Sequence, residues 1–588
     1  MNLEPENQPL TNQPAGRRFK PLTWFLLLAG ASFFVVLVFS LIWGPASGFP
    51  EHLAFAAIAS VGLAIAGGFI YWLCCWRRFR WVLFIAACLL TLFALAHAVE
   101  NWRGHRAWKN FQQAAAAKGE RFVLASIIPP PVPDADNFAM AAIFDGLRNE
   151  MDPEYRRAHT GPGGLTNVQR FTFNPYRTND RSYAVPLGTW IKAERTDLSA
   201  WQDYYRTSTV DSVAEFPVAP QPQAGAPASP AADVLLALSK FDPALEELRE
   251  ASRRPYSRFP LRYEDGLTML LPHLAKLKGA NQFLALRAIA ELNSGQTDRA
   301  LADITLSFRL VDCVRTEPIL ISHLVRIAQV HIALQPVWEG LADHRWNEAQ
   351  LAALDAELAR LDFLADYLTA MRGERVCSME AVDYVRRTRD WSVVMDNSGE
   401  SSPSSVKRAS GPLLLRLVPS GWFDQSKAVM GRLHLELFLP AVNQEARTVS
   451  PSFLRQTGEA LDKAFSHRTP YNVFAALFLP ALTKSTEKFA RGQACADLAR
   501  VACALERHRL AHGSYPESLD ALTPVFLAKL PHDVISAQPL KYRRTDAGQF
   551  LLYAVGWNET DDSGQIGLTE KGNFDWSKGD WVWRYPAK

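Results

Sequence analysis

Residues 81–99 read WVLFIAACLLTLFALAHAV, without a Lys, Arg, Asp or Glu. A run of this length spans roughly 30 Å of hydrocarbon as a helix, and a buried helix of a soluble protein would normally carry a polar face. Two more uncharged apolar blocks precede it, at about 22–43 and 53–73. Trp24, Trp43, Trp72 and Trp81 lie near block ends, where an amphipathic ring favours the membrane–water interface. The expectation is a three-helix transmembrane anchor over residues 1–100, with the lipid bilayer as its first partner.

Cations set the orientation of such an anchor, because Lys and Arg in short flanks stay in the cytoplasm. Arg17, Arg18 and Lys20 precede the first block and Arg77, Arg78 and Arg80 fill the second connection, whereas the first connection, 44–52, has neither Lys nor Arg. Three crossings from a cytoplasmic N-terminus place everything after Val99 outside, in the periplasm if the chain sits in a bacterial inner membrane. Arg103, Arg106 and Lys109 beyond the third block oppose this orientation. Ala46-Ser47-Gly48 resembles a signal-peptide cleavage site, but cleavage there would leave the final side unchanged.

The 588 residues exceed one ordinary domain, and 63 Lys+Arg against 60 Asp+Glu leave no field that would favour nucleic acid. Residues 101–215 begin with a short helix over 102–118, pass through the extended Ile128-Pro-Pro-Pro-Val-Pro133 and continue as an irregular mixed region. A Pro/Ala-rich linker occupies 216–231. Helical periodicity dominates 232–470, apart from a Ser-rich loop at 397–411. Asp242-Pro243 has the form of an N-cap followed by a first-turn proline, and Gly295 separates two helices of a hairpin. The Gly-x-x-x-x-Ala-Leu junction from Gly295 to Leu301 resembles the turn of a tetratricopeptide repeat, with one unit visible.

Chemistry is sparsely signalled. There is no Gly-x-Ser-x-Gly elbow, phosphate-binding Gly-rich loop or His-Glu-x-x-His pair. Ser322, Arg326 and Gln329 fall on one stripe of an otherwise apolar helix, which either lines a binding groove or supplies hydrogen bonds between packed helices. His508 and His512 are four apart, a spacing open to metal binding but also natural at a helix end before Gly513. No Cys-x-x-Cys pair exists, and a Cys313–Cys377 bridge is left open.

Residues 485–588 carry the most specific pattern: a helix, His512-Gly-Ser-Tyr-Pro516, Leu530-Pro-His-Asp533, two short strands around Leu540–Arg544 and Gln549–Val555, Asp561-Asp-Ser-Gly564 and Trp581-Val-Trp583. Gly513 stops the helix and the strands form a hairpin, giving a helix on a small antiparallel sheet. The ordered set resembles the globular domain of the major pseudopilin of type II secretion systems. That resemblance implies a calcium-binding acidic loop, here Asp561 and Asp562 with Asp580 nearby; a solvated turn is the alternative. The N-terminus departs from the family, since no Gly-Phe cleavage site with a following Glu at the family spacing heads one long apolar helix.

The expected fold is therefore mainly α: a three-helix anchor, a helical domain with a repeat-like hairpin, and a small pseudopilin-like α+β domain. The expected role is a membrane-anchored, non-enzymatic envelope protein that binds or scaffolds other proteins of a secretion or pilus-like apparatus. The alternative is an extracytoplasmic hydrolase whose site forms only in the fold.

Overall fold

The computed structural model describes residues 30–36, 49–73, 76–152, 154–155, 171, 173–176, 185–207, 222–223, 225, 227–389, 417–545 and 548–586. The chain divides into two compact units, Met1–Val99 and Glu100–Lys588. Most of the first apolar block, half of the Pro/Ala-rich linker and all of the Ser-rich loop lie outside the described residues.

In the first unit, residues 30–36 are helical, α1 spans Phe49–Leu73, and α2 begins at Trp76 and runs to Ala116. Among the described residues one helix is long and apolar enough to cross a membrane, over Phe79–Ala116, and its apolar window is not buried at all. Leu83, Phe84, Leu90 and Leu95 on it are exposed. This revises the expectation of three spans. The apolar stretch recognised within α1 is Ala56–Ile70. The helix expected over 102–118 is not a separate element either, because no proline or capping pair interrupts α2 after Val99.

The second unit is built mainly of helices. After short turns come α3 (Asp145–Met151), α4 (Leu198–Thr207), α5 (Pro230–Leu238) and α6 (Asp242–Ser252). Pro243 sits in the first turn of α6 as expected, but the Asp242 carboxylate does not cap it. It takes Arg287 Nη1 at 2.5 Å instead, since an ion pair with the neighbouring helix competes with local capping.

A hairpin follows, α7 (Pro272–Asn293) with α8 (Thr297–Asp312), and then α9 (Leu320–Ala342) and α10 (Glu348–Ala359). Helix α7 packs on both α8 and α9, whereas α10 packs on α8 and on the long helix Pro480–His512 rather than back on α9. Gly295 at φ +74° makes the first turn, and an Asn347–Gln350 capping box opens α10. The α7–α8 hairpin was legible beforehand, because its Gly-containing turn is explicit.

Helices α11 (Phe363–Thr388), α12 (Ser420–Leu433), α13 (Pro451–Phe465), α14 (Val473–Phe478) and α15 (Pro480–His512) complete the helical layer. Backbones meet closely where α12 crosses the second half of α2. A Cβ on Gly421 would stand 2.0 Å from Glu100 O, so glycine is required there. Asn101 Oδ1 accepts from Gly421 N at 2.8 Å and from Ser420 Oγ at 3.0 Å, so a residue of α2 caps α12.

The small sheets are all antiparallel. A two-residue ladder joins β1 (Val442–Asn443) to β2 (Thr448–Val449). The order β3-β4-β7 joins Lys541–Arg544, Phe550–Ala554 and Trp581–Trp583, as expected, and β5 (Ile566–Leu568) pairs with β6 (Phe574–Gly579). Helix α15 packs on β4 and β7 on one side and on α9, α10 and α11 on the others. One continuous core thus contains Leu498, Val501 and Leu505 of α15, Trp338 of α9, and Leu552 and Trp583 of the sheet. The boundary drawn before residue 485 in sequence does not separate two cores. A second core gathers Phe144, Trp201, Leu245 and Phe283 around α3–α8. Cys313 and Cys377 are both buried and free, as are Cys495 and Cys503.

Candidate functional site

The Ser322/Arg326/Gln329 stripe on α9 does not line a groove: all three residues are fully buried. Arg326 donates to Asp312 Oδ1 at 2.8 Å, to the Asp366 carboxylate and to Val311 O at 3.2 Å, and its guanidinium lies 5.1 Å from the centre of the Phe363 ring. Burial pushes the Asp366 carboxyl up to about 6, against the pull of Arg326. Ser322 donates to Glu317, whose other oxygen meets His273 Nε2 at 2.9 Å. The side-chain amide of Gln329 and both ring nitrogens of His323 are buried without hydrogen-bond partners. The stripe joins α8, α9 and α11 from within, because charged groups between packed helices must find each other rather than water.

The conspicuous C-terminal residues also have structural partners. Gly513 ends α15 at φ +78°, and Tyr515 folds back to donate to Glu506 Oε2 at 2.7 Å. Glu506 also meets His344 Nδ1 and Arg509 Nη2, and these partners outweigh its burial and bring its carboxyl down to about 2. Asp533 accepts from Ile535 N, Ser536 Oγ and Val555 N, all within 2.9 Å, which ties the Leu-Pro-His-Asp loop to the end of β4. His512 Nδ1 lies 3.1 Å from His508 O and His508 Nδ1 lies 3.0 Å from Ser514 O, so both imidazoles serve the helix end.

In the acidic loop, Asp561 Oδ1 accepts from Ser563 N at 3.0 Å and Tyr553 Oη at 3.1 Å, and Asp562 Oδ2 accepts from Asn558 Nδ2 at 2.8 Å. Asp580 is buried, accepts from Gly564 N at 2.7 Å through Oδ2, and leaves Oδ1 without a hydrogen-bond partner. Burial, reinforced by Asp562 and Asp561, pushes its carboxyl up to about 6. Among the described residues no three His, Cys, Asp or Glu side chains form a group that could hold a metal ion.

A polar cleft of about 310 Å³ opens where α15 meets the β1–β2 turn and the loop at Ala528–Val534, and it brings together Asp362, Arg447, Asp497, Arg500, Lys529 and His532. Arg447, at φ +51°, reaches Asp362 Oδ2 at 3.0 Å, and Arg500 Nε reaches Asp355 Oδ1 at 2.9 Å. Asp497 Oδ2 accepts from Gln493 Nε2 at 3.1 Å, while Gln493 Oε1 accepts from Phe363 N at 2.9 Å. Burial brings the Asp497 carboxyl up to about 6, where it exchanges a proton near neutral pH. His532 Nε2 lies 3.0 Å from Ala446 O. A protonatable carboxyl beside three cations suits anion binding or acid–base work. Sequence reasoning missed this cleft, because its residues come from separate segments spread from Ala359 to Val534 and no local spacing links them.

No protein-family model matches the chain, and neither a curated protein nor a solved structure does.

Proposed function

We propose that the chain is a membrane-anchored scaffold whose Glu100–Lys588 unit binds other proteins of a bacterial cell envelope. The observation that carries this reading is the helix over Phe79–Ala116, with its unburied apolar window preceded by Arg77 and Arg78. A single crossing from a basic cytoplasmic flank leaves the large unit outside, as three crossings would. The helical unit, with its α7–α8 hairpin packed on α9, supplies surface of the kind used for protein recognition. The pseudopilin resemblance of the C-terminal segment makes a secretion or pilus-like apparatus the assembly to test first. Crosslinking of the full chain in its own cells, followed by mass spectrometry, is expected to recover envelope proteins reproducibly. Recovery of cytoplasmic proteins alone, or of none, overturns the proposal.

The second reading, an extracytoplasmic hydrolase, is supported by the cleft at Asp497. Turnover of model esters or peptides by the full chain in detergent, lost in Asp497→Asn without loss of folding, is the expected result of that reading. No turnover, or equal turnover by the variant, eliminates it.

A further inference from the structure

A second cleft, of about 630 Å³, lies between the Pro129–Pro133 segment, the turn after α6 and the C-terminal ends of α8 and α10. Its charged lining is Arg258, Arg309, Arg315 and Arg360 against Asp136 and Asp312. Asp312 is already engaged, by Arg326 at 2.8 Å and Arg360 at 2.7 Å. Arg309 spends donors on the carbonyls of Ser252, Arg254 and Tyr256, which shapes the turn that forms one wall.

Arg258 and Arg315 are different. Neither side chain has a hydrogen-bond or ion-pair partner among the described residues, and Arg258 Nε is buried in that state, together with the neighbouring Ser257 Oγ. The Arg258 backbone is nevertheless fixed: its N–H donates to Asn137 Oδ1 at 2.8 Å and its carbonyl accepts from Asn137 Nδ2 at 2.9 Å. A buried donor without an acceptor costs about 1–3 kcal/mol, and an oxyanion would meet this donor with a charge-assisted bond. The opposite wall is apolar and stiff, because Pro129, Pro130 and Pro131 are consecutive, and the Tyr256 ring on the cleft lining is exposed.

We propose that this cleft binds a small organic oxyanion, a phosphate ester or carboxylate. Arg258, Arg315 and Ser257 take its charge, and the proline wall and Tyr256 take its organic part. The proposal does not depend on the scaffold reading, and it assigns a task to the proline segment that the sequence marks only as extended.

The test is thermal unfolding of the full chain in detergent with phenyl phosphate, benzoate or inorganic phosphate, each against sodium chloride at equal ionic strength. Phenyl phosphate or benzoate is expected to raise Tm saturably above the chloride control. A preference between them identifies phosphate or carboxylate as the recognised group, and a weaker effect of inorganic phosphate reports the apolar wall. The Arg258→Gln/Arg315→Gln variant is expected to need about ten-fold more ligand, equivalent to ~1.4 kcal/mol. Arg315→Gln alone changes an exposed side chain and is expected to weaken binding in the same direction, which keeps the test valid if the double variant folds poorly. No shift beyond chloride with any probe overturns the proposal. So does a shift that both variants retain, or an acidic peptide that stabilises the chain when none of the small anions does.

Discussion

Replacing Arg326 by Ala is expected to cost about 3–5 kcal/mol of unfolding free energy, because it leaves the buried Asp366 carboxylate without its cation, whereas Asp312 keeps Arg360. Asp366 meets this guanidinium inside the helical layer, where no water takes its place readily. Urea titration of the detergent-solubilised chain measures the loss. Arg326→Met combined with Asp366→Asn is expected to recover part of it, since the second change removes the stranded charge. The pH dependence has a definite sign. Burial already holds the Asp366 carboxyl at about 6, above its ordinary 3.8, so its protonated form favours the folded state below pH 4 and that contribution is lost as pH rises through 6. Without Arg326 the carboxyl rises further, and the deficit of Arg326→Met should be smaller at pH 5 than at pH 8. A cost below about 1 kcal/mol, the range of exposed pairs, would show that this ion pair is not closed off from solvent.

Trp338→Ala is expected to cost a similar amount, about 3–5 kcal/mol, through lost burial and the cavity left behind. The indole is fully buried on α9, donates through Nε1 to Arg584 O at 2.9 Å and stacks on Tyr585 with centroids 6.1 Å apart. It therefore holds the chain after β7 against the helical layer. Limited proteolysis should cut the variant after β7 while the wild type resists, and Trp338→Phe, which keeps most of the ring, should lie between them. Equal resistance of all three would place the attachment elsewhere.

Both predictions come from interior residues whose importance was only half visible beforehand. The Ser322/Arg326/Gln329 spacing marks a polar face on α9, but spacing alone does not say whether that face meets water or α8 and α11. Asp242 shows the same limit: the Asp-Pro pair locates the start of α6, whereas Arg287 on α7 claims the carboxylate. Asp533 and Tyr515 belong to a pattern noticed for its resemblance, and their contacts give each a local mechanical task.

The sequence by itself determined the uncharged apolar run before Val99, the predominance of helix after residue 232, the Gly295 and Gly513 turns and the antiparallel strands near the C-terminus. These follow from forces acting over a few neighbours: backbone sterics at glycine and proline, and hydrophobic periodicity along one element. The tertiary structure alone decided that α15 belongs to one core with α9–α11 and the sheet, that Arg326 points inward, and that Arg258, Arg315 and a proline segment share a cleft. Those outcomes depend on which charges and apolar faces are brought together across large sequence separations, where desolvation and pairing, rather than local preference, set the free energy.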